Sequence, residues 1–404
     1  RGHLPWRDFA FLHPPVVLAL FGPLTALDPS TALKAARWLM TLVGVANVGL
    51  IFALVRRHTT VAGAFVGAAL YAAWPEAVIN ERRALLEPLL NLAGLSSLYL
   101  ALGSKRSAGV VLGFALGIKS WAVFWLAGVL GARAWRVALV GVLVGGALIG
   151  ALALFAPEAA FTQLLLVHLG RPPDGDLDRL VRLREMFISR SVAPLLVLLG
   201  TAPWLVRQHA QPVVRALTIT FVSVLAAFLA AAAWWNQYDT ALAGVVAPLC
   251  GVGIGLALPR LAGVRGFVLA LLLATPAVKA VIDVRHEASP AQLELGARVA
   301  AAAVGVERVC GFEAVDVLLA NRWPAAPLDS YGQQLVDARA SGPFASMPAL
   351  FASDAAQTSI TQQLERCDVI VRGWRGDAQL NVSSRAWLER TFEPVAPDVW
   401  RRRR

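Results

Sequence analysis

Charge is scarce in this chain, and acidic charge is scarcest. Only 16% of its 404 residues are Asp, Glu, Lys or Arg, with 26 acids against 37 bases. Soluble globular domains carry charge at about a quarter of their positions, so an ordinary water-facing surface is excluded. Cysteine is nearly absent too: Cys250, Cys310 and Cys367 share no metal-ligand spacing. That excludes a disulfide-dense scaffold and a cysteine-built metal centre. Pairing of Cys310 with Cys367 stays open and requires an oxidising compartment. There is no P-loop, no His-Glu-x-x-His helix and no Gly-x-Ser-x-Gly elbow. No basic run with interleaved aromatics points to nucleic acid. Neither a cofactor nor a metal is expected.

What the chain has is apolar length. Hydrophobic residues make up 57% of it, and a spanning helix needs about twenty in a row. Runs of that length lie near 35–56, 59–78, 84–103, 134–156, 213–234, 238–257 and 264–283. Shorter apolar stretches at 107–118, 119–132 and 193–207 complete an expected ten crossings. With that count, one set of loops holds Arg56, Arg57, Lys105, Arg106, Arg133, Arg136, Arg207, Arg215, Arg260 and Arg265 and no acid. The opposite set mixes its bases with Glu81, Glu158, Asp174, Asp176, Asp178 and Glu185. Positive loops stay in the cytoplasm, so residue 1, the 157–192 loop and the tail are expected on the outer side.

Pro14 to Leu27 is apolar but too short to span, and reads as an interfacial or re-entrant helix. The chain begins at Arg1 without a charged-then-apolar leader, and a membrane helix upstream is expected. From residue 284 onward fourteen bases balance fourteen acids, so the net charge of +11 lies entirely before it. The tail has a strand-like run at Cys367–Arg372 and helical stretches at 291–304 and 384–391. The expected organisation is an outer-loop segment with interfacial helix at 1–34, a transmembrane helix bundle at 35–285, and a small extracytoplasmic α/β domain at 286–404. The fold class is mainly α. The Arg401–Arg404 run is unusual for an outer location. Gly-rich stretches at 141–150 and 251–255 read as close helix packing, and Asn381-Val-Ser383 is a weak glycosylation triplet.

Ionisable residues at membrane helices are costly, and each marks a candidate site. Glu87 lies four residues after Arg83, a spacing that shares a helix face; the pair is either a packing salt bridge or part of an outward-facing polar cavity. Lys119 is expected at the outer tip of a hairpin, as a phosphate-binding point charge or a snorkelling interface lysine. Arg7, Asp8 and His13 gather before the interfacial helix. Asp8 either accepts a proton from an acceptor hydroxyl or simply pairs with Arg7. At Trp234–Asp239 the tryptophans read as headgroup anchors, and Tyr238 and Asp239 as residues that also face the cavity.

In order and spacing these motifs resemble polytopic glycosyltransferases of the GT-C fold, the superfamily of protein O-mannosyltransferases and lipid A aminoarabinose transferases. The Arg-Asp-Phe-x-Phe-x-His-Pro-Pro stretch at 7–15 looks like the family's first outer loop. The Arg83–Glu87 helix, the Lys119 hairpin and an outer domain after the last helix follow in the same order, and the likeness covers most of residues 5–285. It implies inverting attack by an acceptor on a polyprenyl-phosphate sugar, with the lipid phosphate leaving. His13, Arg83 and Lys119 would then stabilise the phosphate and Glu87 would orient Arg83 or the sugar. The family's catalytic Asp sits in an early Asp-Glu pair that does not precede Arg7 here. It is expected upstream, with Asp8 the best candidate within the chain. The partners implied are the lipid-linked donor, membrane lipid, and a lipid, glycan or protein acceptor. Two other classes stay open: a transporter or flippase for a lipid-linked or anionic substrate, which would show inverted repeats, and a membrane scaffold.

Overall fold

The computed structural model describes residues 3–173, 179–185, 192–232, 237–258, 290–326, 332–339 and 342–403. Helix α1 (Val16–Phe21) and a 3-10 turn over Gly22–Ala26 form the short apolar piece expected before the first span. Helix α2 (Pro29–His58) opens on a proline, whose missing amide costs nothing there. It closes on Arg56, Arg57 and His58, which suit the negative end of the helix dipole.

The run expected as one span at 59–78 is two helices. α3 (Val61–Ala72) is capped by the Thr60 hydroxyl, which accepts the Gly63 N–H at 3.2 Å. α4 (Pro75–Glu81) leaves it at 61°, because Pro75 cannot continue a helix and serves best as the first residue of a new one. α5 (Glu87–Leu102) then begins later than expected, with Pro88 in its first turn. Between α4 and α5 the chain turns through Ala84 at φ 59°.

α6 (Ser107–Ile118) and α7 (Val123–Gly131) form the expected hairpin, joined through Lys119 and a 3-10 turn at Ser120–Ala122. α8 (Trp135–Ala153) follows. α9 (Pro157–Phe161), a π-helical turn over Thr162–Leu166, α10 (Val167–Leu169) and α11 (Arg179–Arg184) occupy the long loop. α12 (Val192–Arg207), α13 (Pro212–Ala230) and α14 (Tyr238–Ala257) complete the described bundle. The expected span at 264–283, Arg260 and Arg265, Asp174, Asp176 and Asp178, and Trp234 and Trp235 lie outside the described residues.

Among the described residues α2, α8, α13 and α14 are long and apolar enough to cross a membrane, and the bent α3–α4 pair makes a fifth candidate. The chain is thus a multi-pass membrane protein. The other crossings expected within the described residues fall on shorter helices. α14 is the hub: 94% of its most apolar window is buried, against 17% for the peripheral α8. Trp38, Leu42, Val45, Phe65 and Leu143 point outward from the bundle, where lipid tails are their natural solvent. Gly63 and Gly67 of α3 face Gly251 and Gly255 of α14 so closely that a Cβ on Gly63 would lie 2.5 Å from the Gly251 carbonyl. This is the small-residue packing that membrane helices use.

The tail comprises α15 (Pro290–Ala302), β1 (Val309–Gly311), α16 (Ala314–Leu319), α17 (Gly332–Arg339), α18 (Met347–Ala352), α19 (Asp354–Leu364), β2 (Val369–Val371), α20 (Gly373–Gln379), α21 (Val382–Thr391), β3 (Phe392–Ala396) and β4 (Val399–Arg402). Its sheet runs β1-β2-β4-β3, with β1 and β2 parallel and the other pairs antiparallel. Cys310 and Cys367 form a disulfide with Cα atoms 5.8 Å apart. Arg401 and Arg402 are strand residues, and the Arg402 guanidinium donates to the Cys367 and Glu365 carbonyls. Asn381 caps α21 by accepting the Ser384 N–H at 2.9 Å, which gives the triplet a structural use.

This tail is docked on the segments around the start of α2 and after α10. The Ser30 N–H donates to Asn321 Oδ1 at 3.2 Å, and the Met347 N–H to the Pro173 carbonyl at 2.9 Å. Val167 is part of the tail's hydrophobic core with Phe312, Ile360, Leu364 and Phe392, and Leu12 packs against it.

Candidate active site

The site is organised by two helix ends. Glu87 is the first residue of α5 and Lys119 caps the end of α6. The positive end of one dipole therefore meets the carboxylate and the negative end of the other meets the ammonium. Lys119 Nζ lies 2.5 Å from Glu87 Oε1, and the two residues are only 6% and 1% exposed. An ion pair this deep survives because each charge neutralises the other, and removing either one leaves a bare charge in a dry place.

The expected partnership of Glu87 with Arg83 is not formed. The turn at Ala84 takes Arg83 off the α5 helix, and Glu87 faces Lys119 instead. Arg83 is exposed at the α4–α5 junction, within electrostatic reach of Arg82 and Arg37.

Aromatic rings wall the lysine. Its Nζ is 4.4 Å from the Trp121 ring centroid and 5.3 Å from that of Tyr238. Trp121 and Tyr238 meet edge to face at 4.0 Å, and Phe228 packs against both at 5.4 and 5.8 Å. The ammonium has three donors, of which Glu87 takes one. Ring faces favour a cation yet satisfy none of its remaining hydrogen bonds, so the lysine stays able to bind an anion.

Behind the pair lies a buried polar network. Asn91 donates to the Thr240 carbonyl at 2.6 Å, Asn47 to the Tyr71 hydroxyl at 3.1 Å and the Pro88 carbonyl at 3.0 Å, and Asn80 to the Thr240 hydroxyl at 2.8 Å. The Tyr71 hydroxyl donates to Glu81 at 2.8 Å. These bonds tie α2, α3, α4, α5 and α14 together around the start of α5, which fixes Glu87. Asp239 is fully buried in the first turn of α14.

Two histidines, one just before α1 and one in α10, feel the charge of the lysine. His13 is pushed down to about 3, chiefly by burial, with Lys119 and His168 adding repulsion. His168 is also lowered by burial, with Arg171 and Lys119 acting the same way. Asp8 stands apart. Its carboxylate accepts from the Leu4 N–H at 2.7 Å and from Arg7 at 2.8 Å, and the charges acting on it are Arg7 and His3. Those bonds bring the Asp8 carboxyl down to about 2. The structure thus brings Glu87, Lys119 and Tyr238 together, puts His13 within electrostatic reach of the lysine, and leaves Arg7 and Asp8 as a separate exposed pair.

Sequence reasoning missed His168 and Trp121. Trp121 had a local signal, two residues after the lysine. His168 had none, since its hydrogen-bond partner, the Leu12 carbonyl, is 156 residues away. Among the described residues no three His, Cys, Asp or Glu side chains gather as metal ligands.

Comparison with known proteins bears on this arrangement. A family model described as glycosyltransferase family 87 matches residues 11–259. The fold is similar to two crystal structures of ArnT from Cupriavidus metallidurans. The structure bound to undecaprenyl phosphate matches with a TM-score of 0.63 at 14% identity, covering 97% of this chain and 88% of that one. The apo state matches with a TM-score of 0.54, also at 14% identity, covering 78% and 75%. At such identity the likeness shows the fold alone, and it is the GT-C fold expected from the motifs. No curated protein matches the chain.

Proposed function

Because this chain belongs to glycosyltransferase family 87, and so is a membrane glycosyltransferase, we propose that it takes its sugar from a polyprenyl-phosphate carrier and delivers it to an acceptor outside the cytoplasm. The observation that carries this reading is the buried Lys119–Glu87 pair under its aromatic wall. The leaving group of such a transfer is a lipid phosphate, and a pre-set cation in a water-poor site stabilises the charge that develops on it. In this reading Lys119 receives the phosphate, and Glu87 holds the lysine until it arrives. Tyr238 and Trp121 line the path of the apolar carrier. That the similar ArnT was crystallised with undecaprenyl phosphate supports this class of donor.

The outer location is supported by the basic loops of the opposite side and by the Cys310–Cys367 disulfide, a bond that persists in oxidising compartments. Within the chain Asp8 is the best candidate for the acceptor's base, but it is not the acid on which this reading relies. A carboxyl held at about 2 is a weak base, so Asp8→Asn is expected to lower transfer less than tenfold.

The test is sugar transfer in membranes containing the full-length protein and radiolabelled polyprenyl-phosphate sugars. Lys119→Ala and Glu87→Ala should each lower transfer by about a hundredfold or more. Undiminished transfer in Lys119→Ala, at equal protein level, would remove the lysine from the mechanism. Absence of transfer from every polyprenyl donor, with wild-type protein intact, would remove the donor class.

A further inference from the structure

We propose that His168 is a further phosphate-binding residue of the donor site, presented to it by the C-terminal domain and engaged only when it takes up a proton. The proposal rests on the donor reading above.

Presentation comes from packing. The π-helical turn at Thr162–Leu166 leads directly into Val167 and His168, and successive helical residues point about 100° apart. Val167 is thereby seated in the core of the C-terminal domain, while His168 turns to the Leu12 carbonyl, 2.9 Å away. Leu12 packs against the same core and immediately precedes His13. Gln163 secures the two segments by accepting the Phe11 N–H at 2.7 Å. Both histidines thus belong to segments held by the tail, the first of which meets the end of α6 where Val16 packs against Gly117, two residues before Lys119, and Lys119 is among the charges acting on both rings.

The proton requirement follows from the hydrogen bond. A carbonyl only accepts, so Nε2 carries the hydrogen and spends it on Leu12. Nδ1 is then bare, and a bare nitrogen repels a phosphate oxygen. His168 donates to an anion only as imidazolium, with the second proton on Nδ1. Burial opposes that charge, as do Arg171 and Lys119, and His13 stands close enough to feel the ring. Glu87, the acid nearest Lys119, is bonded to that lysine. An arriving phosphate reverses this balance, and the proton comes from bulk water. His168 also keeps one exposed side, which leaves room for the ligand.

His168→Gln separates the two roles, because the glutamine amide can donate to Leu12 as Nε2 does but cannot be protonated. The measurement is calorimetric binding of farnesyl phosphate to the full chain in nanodiscs near neutral pH, repeated in two buffers of different ionisation enthalpy, with farnesol as the uncharged control. The wild type is expected to take up about one proton per ligand more than His168→Gln, and the variant to bind farnesyl phosphate about tenfold more weakly. Farnesol should bind both equally. Equal proton uptake in the two proteins, with farnesyl phosphate bound, overturns the proposal and leaves the donor reading standing. Failure of the wild type to prefer farnesyl phosphate over farnesol overturns both.

Discussion

At the scale of residues, the Lys119–Glu87 pair separates stability from function. Removing one member leaves an uncompensated buried charge and should cost roughly 3–5 kcal/mol. Removing both, as in Glu87→Leu with Lys119→Met, should recover most of that, because an apolar pair of similar volume replaces a desolvated one. Thermal unfolding in detergent checks this, and the double variant should fold yet transfer no sugar. His13 gives a pH signature. Its folded value is about 3 and its ordinary value 6.5, so between those limits the unfolded chain binds the extra proton. Stability should fall as pH drops below about 6.5, and His13→Gln should flatten that part of the unfolding curve. Lys119 and Glu87 were legible in the sequence because a charge inside an apolar run is expensive. The partner of Glu87 was not, although Pro88 held the clue: proline prefers the first turn of a helix, which marks Glu87 as a start rather than a second turn.

At the scale of elements, glycines decide how near the hub helix its neighbours come. Gly63→Val would force a side chain into the backbone of α14 and should destabilise the protein by about 1–3 kcal/mol or more. At Gly150 of α8 a Cβ meets nothing within 4 Å, so Gly150→Val should leave the unfolding temperature within a degree or two. The glycines at 251–255 were read as packing positions from sequence, and α3 supplies their partners. The long spans were equally legible from apolar length. The α3–α4 bend was hidden because apolar residues resume at Ala77–Ile79 after Pro75 and Glu76, and window length alone cannot distinguish a straight helix from a broken one.

At the scale of the whole molecule, the tail's helices at Pro290–Ala302 and Val382–Thr391 and the strand at Val369–Val371 were visible as pattern, whereas its five other described helices and its docking on the bundle were not, since docking depends on contacts between distant segments. The disulfide closes a 57-residue separation inside the core that holds Leu12 and Val167. Its reduction should cost about 2–5 kcal/mol, and transfer should fall with it. Treating nanodiscs with a reductant and following both unfolding and transfer makes this measurable. The Leu12 and Val167 anchorage also has a meaning for biosynthesis. The bundle leaves the ribosome first, and its two histidines are without their seats until a domain encoded more than a hundred residues later has been made and its Cys310–Cys367 bond closed. On the proposed donor reading, a nascent chain would therefore enter the membrane without competing for the cell's limited pool of carrier lipid, and the enzyme would become competent only when its synthesis has run past the core that completes it.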